Sequence, residues 1–80
     1  VTPVRIGSEI YGDSAALVTS VTDRWITAEI YHPPPLRSVV VVDFTGMVAR
    51  AEVVRLYRLQ ASDGVWAGIG LRVLEWLDSI

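Results

Sequence analysis

The chain has 80 residues, 51% of them hydrophobic, with a formal net charge of −2 and no cysteine. That length holds a single domain over residues 1–80, close to the size at which one core only just offsets chain entropy. Without cysteine there is no disulfide framework and no thiolate metal site, and one histidine builds neither a zinc site nor a Ser-His or Cys-His nucleophile. The acidic balance argues against binding a nucleic-acid polymer, which needs a basic face. No apolar run approaches the roughly 18 to 20 residues of a membrane span, so membrane insertion is not expected. Lack of cysteine and of a secretory leader fits the cytoplasm. Residue 1 is Val rather than Met, which fits a segment of a longer protein.

Val4 to Ile10 mixes apolar and polar residues and predicts an irregular edge strand, with a turn through Tyr11, Gly12, Asp13 and Ser14. Ala15 to Val21 (AALVTSV) predicts a strand with Leu17, Thr19 and Val21 on one face and Val18 and Ser20 on the other. Thr22 to Arg24 is a short polar connection. Trp25 to Tyr31 (WITAEIY) resumes alternation, with Ile26, Ala28 and Ile30 together on one face. His32 followed by Pro33, Pro34 and Pro35 predicts a stiff, locally polyproline-like loop, because prolines remove backbone donors and fix φ.

Val39 to Phe44 (VVVVDF) is a continuous apolar run and predicts a central strand buried on both faces. Thr45 and Gly46 turn the chain. From Met47 to Leu59, Ala49, Ala51 and Val53 alternate against Arg50 and Glu52; the phase then slips at Val53–Val54, as at a β-bulge. A helix over this segment would leave no clean apolar stripe, so a long bulged strand is favoured. Ser62, Asp63 and Gly64 predict a hairpin turn, and Val65 to Val73 the return strand. Leu74 to Asp78 offers a short C-terminal helix. Five or six strands at regular spacing with frequent turn signals make an all-β domain, a small antiparallel β-barrel.

Gly46 to Leu56 (GMVARAEVVRL), then Asp63 and Gly64, then Ala67 to Val73 (AGIGLRV) resemble the end of a PilZ domain. Leu17 to Ile30 is similar to that family's strand–turn–strand, and Pro35 to Phe44 to its next strand; Val73 stands where the family usually has Phe. The resemblance spans about Ala15 to Val73 and implies a six-stranded, non-enzymatic barrel, often followed by a helix, in bacterial signalling or motility proteins. Many members bind cyclic di-GMP through an R-x-x-x-R stretch before the barrel and a D/N-x-S-x-x-G motif early in it. Upstream, this chain has only Arg5. At the second motif Ser20 replaces the acid or amide, Thr22 the Ser, and Trp25 the Gly, so an indole stands where the ligand needs room. The resemblance therefore implies a regulatory or protein-interaction module that does not bind cyclic di-GMP in the usual way and needs no cofactor. A receptor whose arginines lie outside this segment is one alternative, and a generic SH3-like adaptor another. The partner would be a protein, another domain of the parent chain, or a second copy.

Among single residues, Trp25 reads as core. Tyr57 and Trp66, brought near each other across the last hairpin, and Trp76 with Leu77 are the candidate partner anchors, since aromatic anchors dominate interfaces. Trp66 reads equally as core, and Trp76 with Leu77 equally as a plug of the barrel's end. Arg50, Arg55 and Arg58 read as a solvated face with Glu52 as partner, His32 as a loop residue, and Asp43 as a strand end turned to water. Gly68 and Gly70 mark a close backbone approach or a bend in the strand rather than a phosphate loop, because they precede no helix.

Overall fold

Where apolar and polar residues alternate, the chain forms strands: β1 (Thr2–Ser8), β2 (Gly12–Val21), β3 (Trp25–Tyr31), β4 (Val39–Phe44), β5 (Met47–Arg58) and β6 (Trp66–Asp78). These come from a computed structural model that describes residues 2–44, 46–58 and 66–78. The strands close into an antiparallel barrel in the order β1-β2-β3-β6-β5-β4. It consists of two three-stranded meanders, β1-β2-β3 and β4-β5-β6, joined along the β3/β6 and β1/β4 seams. The proline segment carries the chain from β3 to β4, and Pro34 is buried in it. Pro33 and Pro34 lie against Ile6, Gly7 and Val40 around a cavity of about 210 Å³.

Closure leaves every strand one inward face. Among the described residues the interior holds only aliphatic side chains: Val4 and Ile6 from β1, Ala16 and Val18 from β2, Ile26, Ala28 and Ile30 from β3, Val40 and Val42 from β4, Ala49, Ala51 and Val53 from β5, Ile69 and Leu71 from β6. Small residues face large ones across the ladders: Ala16 pairs with Ile30, Ala28 with Ile69, Ala51 with Val40 and Ala49 with Val42. Alternating large and small side chains in this way lets them interdigitate in a narrow barrel, and each fully buried Ile, Leu or Val contributes about 1.5–3 kcal/mol. Aromatic side chains are pushed to the ends and the outer wall. Phe44 and Trp76 meet at one end, ring centroids 6.0 Å apart, and the Trp76 Nε1–H donates to the Asp23 carbonyl at 2.8 Å.

Several expectations change. β4 is not buried on both faces: Val40 and Val42 are inside, while Val39 and Val41 are 49% and 43% exposed. A barrel wall with nothing packed outside it buries one face only. The C-terminal helix is absent; Leu74 to Asp78 continue β6, with Trp76 paired to Ala49 and Leu77 to Val48. Strand pairing there satisfies the donors and acceptors of the long β5, which a helix would leave open. β1 starts and ends two residues earlier than expected and is no edge, since it bonds both β2 and β4. Its turn lies over Glu9 to Tyr11, closed by the Tyr11 N–H donating to Ser8 Oγ at 2.9 Å, and Gly12 (φ 72°) opens β2. In β2 the buried residues are Ala16 and Val18, and a register shift at Thr19 ends the simple alternation.

The phase slip in β5 is present. The register shifts between Val53 and Arg55; Val53 is buried, Val54 is 38% exposed and Leu56 packs against the core again. β5 and β6 pair from Met47 with Asp78 to Arg58 with Ala67. The turn expected at Ser62, Asp63 and Gly64 lies outside the described residues.

Candidate functional site

Outward positions of β3, β6 and β5 carry most of the chemistry on the barrel wall. In β3, residues 26, 28 and 30 face in, so Trp25, Thr27, Glu29 and Tyr31 face out. Trp25 is therefore not core: it is 51% exposed. The ladder aligns Tyr31 with Trp66, Glu29 with Gly68 and Tyr57, Thr27 with Gly70 and Arg55, and Trp25 with Arg72 and Glu52.

The two glycines of β6 create space in the middle of this wall. A Cβ on Gly68 would run into Cδ2, Cε2 and Cζ of Tyr57, so that ring lies over the glycine. At Gly70 a Cβ would lie 3.0 Å from the Arg55 Cβ. The close approach expected of these glycines is thus made by side chains of the neighbouring strand. Tyr31 and Trp66 lie beside them, centroids 5.6 Å apart and tilted 56°, and His32 (φ 60°) meets Tyr31 edge-on at 4.2 Å.

The arginines pair across strands rather than along one. Arg72 Nη2 donates to Glu52 Oε1 at 2.7 Å, and Arg50 Nη2 lies 2.9 Å from Glu75 Oε1. Glu52 is therefore the partner of Arg72, not of the β5 arginines, because outward neighbours in a sheet sit on adjacent strands. Asp43 is exposed, as expected, opposite Arg5 in the ladder.

The residues at the family's ligand motifs are not gathered into one site. Thr22 closes the β2–β3 turn: its Oγ1 accepts from the Trp25 N–H at 3.1 Å, and its own N–H donates to the Trp25 carbonyl at 2.8 Å. Ser20 is exposed on β2. Arg5 pairs with Ala15, at the far end of the same meander from Trp25, about 20 Å away along the strands at the usual rise per residue. Beside Trp25 a groove of about 470 Å³ runs between Arg24, Arg72, Glu75 and Trp76.

Compared with family models, curated proteins and solved structures, the chain matches none. Among the described residues no group of three or more His, Cys, Asp or Glu is placed to hold a metal ion, and no helix is long and apolar enough to cross a membrane.

The four expected anchors fall in two places. Tyr57 and Trp66 belong to the wall just described, Tyr57 exposed and Trp66 half-buried. Trp76 is half-buried at the barrel's end, where with Phe44, Met47, Val18 and Val21 it lines an apolar cavity of about 270 Å³. Leu77 is outward and exposed on the same strand. Tyr31 and Glu29 join the wall, neither of them expected as an anchor. The period of two in WITAEIY already set them opposite the Ile26-Ala28-Ile30 face.

Proposed function

We propose that this barrel is a non-enzymatic regulatory or protein-interaction module of PilZ type, working in bacterial signalling or motility, that does not take cyclic di-GMP through the usual motifs. The observation that carries the reading is the outward wall of Tyr31, Tyr57 and Trp66 on three adjacent strands. Aromatics left on a surface beside a filled aliphatic core are the residue types that anchor interfaces. The engagement of Thr22 in its own turn and the distance of Arg5 from it support the second half of the reading. The exposed Trp25 beside Arg24 and Arg72 favours one other reading, a cyclic di-GMP receptor completed by arginines from outside this segment.

Two measurements test this. A photo-crosslinking residue at position 57, in the parent protein in its own cell, is expected to give a protein adduct that the same residue at position 43, on β4, does not. Adducts from 43 alone would place the interface elsewhere and refute the assignment. Calorimetric titration of the 80-residue chain with micromolar cyclic di-GMP is expected to give no isotherm. A saturable low-micromolar isotherm that Arg5→Ala abolishes would restore the nucleotide reading.

A further inference from the structure

The outer wall contains one carboxylate whose setting differs from the others. Glu29 is half-buried, yet the ion pairs among the described residues are Arg50 with Glu75 and Arg72 with Glu52, and no side-chain hydrogen bond reaches it. Its cross-strand neighbour is Gly68, which presents no side chain. The Tyr57 ring lies over that glycine. Two residues further along the same outward face stand Tyr31 on β3 and Trp66 on β6, 5.6 Å apart. Among the arginines whose side chains are described, the nearest in the ladder is Arg55, one outward row away over Gly70. A half-buried carboxylate thus shares one stretch of the outward wall with three aromatic side chains, one of which fills the side-chain position left by Gly68.

Such a setting favours positive charge on two grounds. The faces of Trp and Tyr carry the negative part of the ring quadrupole. A partly desolvated carboxylate without a counter-ion gains more from a cation than a fully solvated one does. We propose that Glu29, Tyr31, Tyr57 and Trp66 bind the ammonium group of a lysine side chain presented by a partner polypeptide. The proposal rests on the interaction-module reading above and names the chemistry of the partner. Charge complementarity selects the cation. The carboxylate needs N–H donors, which a quaternary ammonium lacks and the compact lysine head supplies. The lysine methylenes would lie along Tyr31 and Trp66. The wall is open, with Tyr31 and Tyr57 both exposed. A free amine binds only weakly at so open a site, whereas a side chain held by the rest of a docked partner gives up less freedom on binding.

The test is an NMR titration of the 80-residue chain with Nα-acetyl-lysine N-methylamide and, separately, with its norleucine counterpart, which keeps the stem and removes the charge. The lysine probe is expected to give weak, saturable shifts at the Trp66 indole N–H and the amides of residues 29–31; the norleucine probe is not. Glu29→Gln, a near-isosteric change on the surface, should weaken the lysine probe about fivefold, and so should Tyr31→Leu. Equal shifts with both probes, no shifts with either, or an unchanged titration in Glu29→Gln would overturn the site. If the lysine probe fails while position 57 still crosslinks selectively, the wall remains an interface and only its cation specificity is wrong.

Discussion

Gly68→Ala isolates the contact that shapes the wall. Gly68 has no positive φ, so alanine is compatible with its backbone; the obstacle is the Tyr57 ring. A methyl group there must displace the ring. An aromatic side chain buries about 150–250 Å² in all. Losing a quarter of that exposes about 50 Å², or about 1.2 kcal/mol at the usual coefficient. Alanine returns about 0.4–1 kcal/mol by restricting the unfolded chain. The net expectation is a destabilisation of about 0.5 kcal/mol, with a midpoint lower by about 2–4 °C in a domain of this size. In a Tyr57→Ala background the obstacle is gone, and the same substitution should become stabilising by about 0.4–1 kcal/mol. Urea unfolding of the four members of this double-mutant cycle measures both signs. If Gly68→Ala destabilises equally with and without Tyr57, the ring does not occupy the glycine's side-chain space and the geometry of the wall is wrong.

Three further outcomes are expected. Trp25→Ala should cost less than about 1 kcal/mol, since the indole is largely outside, whereas Leu71→Ala, at a fully buried site, should cost about 2–5 kcal/mol; chemical denaturation ranks the two, and a reversed order would return Trp25 to the core. Trp76→Phe removes the donor to the Asp23 carbonyl and should lower stability by about 1 kcal/mol, with hydrogen exchange at the β2–β3 turn accelerating more than in β4; equal acceleration in both would deny the link. Glu52→Gln should cost no more than about 1 kcal/mol, because Arg72 is half exposed, and the loss should shrink in high salt.

The strands of this fold were readable wherever inward and outward positions differ in chemistry. WITAEIY alternates cleanly and folds as it reads, and the break in period at Val53 and Val54 is a real register shift. The VVVVDF run was misread because Val serves equally well inside and outside a barrel wall, so four in a row hide the alternation. The end of β6 was misread for a different reason. Leu74 to Asp78 has reasonable helical residues, and only the unmet length of β5 makes it a strand, a constraint that lies nearly thirty residues away in sequence. Trp25 was assigned to the core by residue type, although its own strand's period pointed outward. The partners of Glu52 and Arg50 required the β5/β6 register, which a double bulge shifts beyond counting from the sequence alone.

The two-meander plan sets how this chain must reach its native state. Within each meander, successive strands are joined by short links and can pair early. Neither meander alone can shield its apolar side, because each supplies only half of a closed wall. The seams that complete it bring Arg5 to Asp43 and Trp25 to Arg72, pairings between distant parts of the chain. Docking the halves is therefore the entropically demanding event, and folding should fall in the millisecond-to-second range of all-β barrels rather than that of local hairpins. The three prolines between β3 and β4 act on this step directly. By restricting the segment before the halves meet, they reduce the entropy lost when the barrel closes.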